Sequence, residues 1–186
     1  MVSFHDKAQA IKTLCLTETS ADPIAIARKL MAIPSISLHG PEHHMLDGSA
    51  FLTAYKNAGG QVDLSSALEE LEKRSSLMPG ATCGYWGVCG SAASVGAALA
   101  IIHGTGPLSS NDYYKDNMEL TSRCLHDLGE IGGPRCCKRN AYLSLSEATK
   151  FVKERYGTNL TIAPFTCTYS SQNPTCLGIR CPFHAK

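Results

Sequence analysis

Between Ser91 and His103 the chain runs through Ala92, Ala93, Val95, Gly96, Ala97, Ala98, Leu99, Ala100, Ile101 and Ile102. Wound as a helix, this segment is apolar on every side, and such a helix has to be surrounded by other parts of the fold. Its longest apolar stretch, from Val95 to Ile102, falls well short of the ~20 residues that cross a bilayer. It therefore reads as the centre of a core, and its small side chains let neighbouring helices come close.

The rest of the chain supplies those neighbours. Ala8, Ile11, Leu14 and Cys15 form one helical stripe, and Ile26, Leu30 and Ile33 form a second behind Pro23, which ends before Pro34. Leu46, Ala50, Ala54, Tyr55 and Ala58 share a face that Gly59-Gly60 closes. Asp63 is placed to cap a helix carrying Leu64, Ala67, Leu68 and Leu71. Leu120, Cys124, Leu128 and Ile131 make a further stripe, ended by Gly132-Gly133-Pro134. Ser144 and Glu147 have capping-box spacing for a last helix that runs to Tyr156, with Gly157 behind it. From Thr158 to Lys186 helical period is lost, and the expectation is a loop or short strands anchored by cysteines. The chain thus reads as one mainly α-helical domain over residues 1–186, built on a central helix, with an irregular tail over 158–186.

Composition narrows the function classes. Seventeen basic against sixteen acidic residues leave a net charge of +1, so no charge excess points to nucleic acid or an anionic membrane. A hydrophobic fraction of 44% excludes long disorder. The start, Met1 to Lys7, lacks a basic-then-apolar leader pattern, so a cytoplasmic setting is expected. The unusual feature is nine cysteines, an odd number that disfavours a secreted disulfide scaffold. In a reducing compartment, clustered thiols bind metal or do chemistry. Cys15 and Cys124 stand alone on helical stripes and read as small buried hydrophobes.

The other seven fall beside glycine or proline in three groups. In Cys83-Gly84-Tyr85-Trp86-Gly87-Val88-Cys89-Gly90-Ser91, Cys89 sits at a helix N-terminus, where the dipole favours a thiolate. Free amides at Gly90 and Ser91 can donate to a cofactor or anion. In Gly133-Pro134-Arg135-Cys136-Cys137-Lys138-Arg139 three cations surround two thiols, which should depress both thiol pKa values and hold an anion. The tail carries Cys167, Cys176 and Cys181, the last followed by proline, a step that recurs beside iron–sulfur ligands. Its spacing matches neither the common ferredoxin series nor a zinc knuckle. A fourth ligand from Cys89, Cys136 or Cys137 would complete a site. In His39-Gly40-Pro41-Glu42-His43-His44, Glu42 and His43 are candidates for moving protons. His103 and His126 read as structural.

The motifs HGPEHH (39–44), GYWGVCG (84–90), Gly104–Leu108, GPRCCKR (133–139) and the tail through Cys181-Pro182 together resemble an uncharacterised cysteine-rich domain family of microbes. Its members stand alone or behind an S-adenosylmethionine-dependent methyltransferase domain. The resemblance implies one shared site and no particular activity. This chain has no glycine-rich methyltransferase fingerprint of its own.

The expectation is an iron–sulfur protein, leaning to an enzyme of sulfur removal, sulfur transfer or redox chemistry on a small anionic or thiolated substrate. A [4Fe–4S] cluster would sit on Cys136, Cys167, Cys176 and Cys181, beside Cys89, Gly90 and Ser91. Cys137 would be the nucleophile, Arg135 and Lys138 (with Arg139) the anion clamp, and Glu42 or His43 the proton carrier. The alternatives are a Zn2+-stapled module that binds a partner, and a metal-free thiol–disulfide relay through Cys136, Cys137 and Cys89. The oligomeric state is open, a homodimer included.

Overall fold

Helix α6 (Gly90–Ile102) packs against four other helices, as a helix without a polar face must. The computed structural model describes residues 2–185, and all its regular elements there are helical. In chain order they are α1 (Phe4–Thr17), α2 (Pro23–Met31), α3 (His43–Asn57), α4 (Leu64–Ser76), the single turn α5 (Thr82–Tyr85), α6, α7 (Asp112–Ile131) and α8 (Cys137–Tyr156). Two 3₁₀ turns, Ser170–Gln172 and Gly178–Arg180, follow in the tail. Helices α3 and α6 form the central pair: α4, α7 and α8 pack on α6, while α1, α2, α4 and α8 pack on α3. The two cross closely at Gly48, whose amide donates to Ser94 Oγ at 2.8 Å. A Cβ on Gly48 would stand 2.8 Å from the Ser94 carbonyl oxygen.

Local chemistry sets the helix starts. Ser3 and Asp6 form a reciprocal capping box, the Asp22 carboxylate accepts from the Ile24 and Ala25 amides, and Asp63 accepts from Ser66 as its position suggests. Helix α2 ends two residues short of Ile33, and α3 starts three residues before Leu46. The expected start at Ser144 is wrong. Helix α8 begins at Cys137, the Cys136 sulfur accepts the Arg139 amide as its cap, and Ser144 lies fully buried in the helix interior. Gly157 ends α8 in the left-handed conformation, φ 70°.

The tail has no strand among the described residues. Aromatic packing as well as cysteine chemistry ties it down: Phe165 and Phe183 stack at 5.3 Å, and Tyr142 of α8 meets both edge-on at 5.0 and 5.3 Å. The Cys167 amide closes the loop onto the Phe183 carbonyl at 2.7 Å, and the Asp22 carboxylate accepts from Ala163.

Candidate functional site

The seven clustered thiols divide between two neighbouring pockets, and the division runs through the Cys136-Cys137 dipeptide. Cys136 lines a pocket under the tail together with Cys167, Cys176 and Cys181. Cys137 lines a second cavity, of about 290 Å³, together with Cys83 and Cys89. Consecutive residues at a helix start point in different directions, so one step of chain serves both sites.

In the tail pocket, three of the four sulfurs accept N–H groups. Tyr169 N reaches Cys167 Sγ at 3.4 Å, Gly178 N reaches Cys176 Sγ at 3.4 Å, and Arg139 N reaches Cys136 Sγ at 3.5 Å. The Asn173 amide adds a contact to Cys136 Sγ at 3.6 Å. Burial and the neighbouring sulfurs raise the Cys167 pKa, which would stand in the way of four free thiolates here. Among the described residues no group of three or more His, Cys, Asp or Glu is arranged to hold a single ion as it stands. The four cysteines line the pocket, and no three of them are placed to hold one ion. Arg139 is not free for substrate, because its guanidinium donates to the Gly132 and Pro134 carbonyls and braces the loop.

The second cavity lies between α3, the start of α6 and the start of α8. Cys89, Gly90 and Ser91 line it, as do His39, His43, Cys137 and Arg135. Gly90 is needed there, since a Cβ would collide with the His44 ring. The cavity wall also carries Asp47, which is fully buried and whose two carboxyl oxygens have no hydrogen-bond partner. Burial pushes its pKa up to about 7, moderated by the Ser91 hydroxyl and the charge of Lys138. Burial likewise lowers the pKa values of His39, His43 and His44, His43 to about 3, so all three imidazoles are neutral.

Several expected roles change. Burial raises the Cys137 thiol to about 12, outweighing Arg135, so the cations do not produce a thiolate. Burial also leaves the Cys89 pKa raised, although the Ser91 and Ala92 amides and the Asn140 side chain, 3.2 Å from its sulfur, pull it down. Glu42 lies outside the cavity. Burial would raise its carboxyl, but Lys7 Nζ at 2.9 Å and the Ser37 amide at 2.8 Å prevail and hold it at about 2. It is an ion-paired brace rather than a proton carrier. Lys138 is buried away from the cavity, its ammonium against His43 Nε2 at 3.2 Å, the Ser37 carbonyl at 3.3 Å and the Tyr169 ring. Of the three proposed clamp residues only Arg135 remains exposed at the cavity wall.

His39 links the two sites. Its Nδ1 accepts the Cys137 amide at 3.3 Å, which leaves Nε2–H to donate to Asn173 Oδ1 at 3.3 Å; Asn173 in turn reaches Cys136 Sγ. The sole tryptophan, Trp86, is 68% exposed beside this region and does not pack inside. Cys15 and Cys124 are fully buried in the core, and His103 stacks on Tyr113, all as structural residues. Residues that sequence reasoning gave no role are Asp47, three residues past HGPEHH, and Asn140, which directly follows GPRCCKR; neither is of a type that those motifs' thiols and charges single out.

Fold and site together define an all-helical, cysteine-rich domain with a thiol-lined pocket beside a polar cavity. The chain belongs to a family of unknown function, DUF5714, whose model matches residues 11–184. No curated protein and no solved structure matches it.

Proposed function

We propose that this protein holds a [4Fe–4S] cluster on Cys136, Cys167, Cys176 and Cys181 and uses it in sulfur or redox chemistry on a small molecule in the adjacent cavity. The observation that carries the reading is the shared pocket with its N–H···S contacts. Backbone amides aimed at sulfur stabilise negative charge there, as cluster thiolates require. Tyr142, Phe165 and Phe183 supply an apolar shell beside the sulfurs. A cubane gives each thiolate its own iron, so cysteines lining a pocket suit it better than one zinc, on which four must converge.

A bound cluster, with a cysteine on each iron, would supply one-electron transfer. The chain's own residues do the rest. Cys137 presents a thiol, not a thiolate, to a substrate in the cavity, Arg135 offers the free positive charge, and Cys89 stands with Gly90 and Ser91 at the α6 amides. Anaerobic purification with iron, sulfide and zinc analysis tests the reading. We expect iron and acid-labile sulfide in equal amounts with a broad visible absorption, lost in Cys176→Ser and kept in Cys15→Ser and Cys137→Ser. Stoichiometric zinc without sulfide, or full iron in Cys176→Ser, would overturn it.

A further inference from the structure

Four buried polar atoms without partners surround the cavity between α3, α6 and α8: both Asp47 carboxyl oxygens, Asn140 Oδ1 and His43 Nδ1; the Ser91 hydroxyl, outside hydrogen-bond geometry, is close enough to Asp47 to favour its charged form. Their residues are all more than nine-tenths buried. Buried polar groups are nearly always satisfied, so a concentration of orphans at one cavity points to a ligand that completes them. The character of the orphans narrows its chemistry. Asp47 and Asn140 present acceptors, because the Asn140 NH₂ already faces Cys89 Sγ. His43 takes the Lys138 ammonium on Nε2, so its Nδ1–H is a donor left for another acceptor; Asp47 and Asn140 themselves call for a donor, and a buried carboxylate for a positively charged one.

Arg135, at the exposed wall of the same cavity, has no salt-bridge or hydrogen-bond partner among the described residues. It offers a free fork of donors for an acidic group. We propose that this cavity binds a small zwitterion of the amino-acid class, its ammonium on Asp47 and Asn140 and its acidic group on Arg135. The site does not depend on which metal, if any, the tail pocket holds. It names a substrate class for the adjacent chemistry, and it stands or falls separately from the cluster.

Binding has a protonic signature. The groups facing Asp47 are His43 and His44 on its own helix, Cys89 at the α6 start, Cys137 and Lys138 on α8, and His39 and Arg135 from the loops. The histidines are neutral and the thiols protonated near pH 7. Asp47 is the group that titrates there, so an ammonium binding against it releases protons to the buffer.

The test is titration calorimetry on the anaerobically purified protein of measured metal content. The probes are the common amino acids, with isobutylamine and isobutyrate as single-charge controls. At least one amino acid should bind with a buffer-dependent enthalpy that reports proton release. Asp47→Asn should abolish that release and weaken binding at least about tenfold, and Arg135→Ala should weaken the amino acid while leaving isobutylamine unchanged. If Asp47→Asn does not fold, Arg135→Ala and the proton release decide the matter. No binding by any amino acid, undiminished binding in Asp47→Asn, or isobutyrate binding as well as the amino acid would overturn the proposal.

Discussion

Replacing Asp47 by Asn should make the protein more stable at alkaline pH, against the usual direction for a buried polar change. On folding, the Asp47 carboxyl moves from a pKa of 3.8 to about 7, because burial penalises its charged form. The folded state therefore holds this proton more tightly than the unfolded chain, and stability falls as pH rises through that window. At about 1.4 kcal/mol per pKa unit, a shift of about three units costs the wild type on the order of 4 kcal/mol by about pH 8. Asparagine has the same shape and cannot ionise. The assay is urea unfolding of both proteins, without added ligand, at a series of pH values from about 5 to about 8, reading the midpoint at constant m. The histidines lining the cavity have lowered pKa values, so they weaken the fold in the opposite direction, as pH falls below 6.5. They are common to both proteins and cancel in the difference. The Asn variant should gain on the wild type steadily from about pH 5 to about pH 7 and keep a constant lead above that. Two parallel stability profiles would refute the burial argument, because they would mean that Asp47 titrates alike in the folded and unfolded chains.

Other perturbations test the remaining links. Glu42→Gln removes a carboxylate held at about 2 instead of 4.5, a contribution present above 4.5 and lost as pH falls toward 2; urea unfolding at neutral pH should show a loss of up to about 3 kcal/mol, with metal content unchanged. Phe183→Ala removes one member of the aromatic trio and no sulfur, yet limited proteolysis should cut the tail sooner and, if the cluster is present, iron content should fall. Asn173→Ala deletes an N–H contact to the Cys136 sulfur; if the cluster is present, electrochemistry should find its reduction potential lowered, since donors to sulfur favour the reduced state. Gly48→Ala forces a methyl group toward the Ser94 carbonyl at the α3–α6 crossing, and thermal melting should show a loss of about 1–3 kcal/mol.

The sequence could be read furthest where burial follows from pattern alone. The run from Ala92 to Ile102 has no polar side, so its place at the centre follows from composition, and Asp63 caps α4 because its side chain reaches the Ser66 amide three residues on. The four tail-pocket sulfurs were also legible as a set, since three share one short tail and Cys136 lies among the candidates for the fourth place. What pattern could not reveal was direction. Cys136 and Cys137 are indistinguishable neighbours until the start of α8 fixes which sulfur faces which pocket, and the Ser144–Glu147 pair suggested a start seven residues too late. Asp47 was hidden for a related reason. One stripe of α3 is visible, but helices on several sides bury α3 from Met45 to Tyr55, so Asp47, which lies off that stripe, is in the interior as well. Lys138, Arg139 and Glu42 drew attention as charges, whereas the fold spends each of them on internal contacts.

The Cys136-Cys137 step is where the two pockets become one device. A rigid joint is implied by what surrounds it: the Cys136 sulfur caps α8 through the Arg139 amide, the Cys137 amide is held by His39, and Arg139 ties the preceding loop to its own helix. His39 cannot shift without disturbing Asn173, and Asn173 touches the Cys136 sulfur. Any group that draws Cys136 toward the other tail sulfurs must therefore pull on the segment that places Cys137 and Arg135 in the polar cavity. If the tail pocket holds a metal, reciprocity requires that whatever factor its binding applies to the affinity for a ligand on Asp47 and Arg135, the ligand applies to the affinity for the metal.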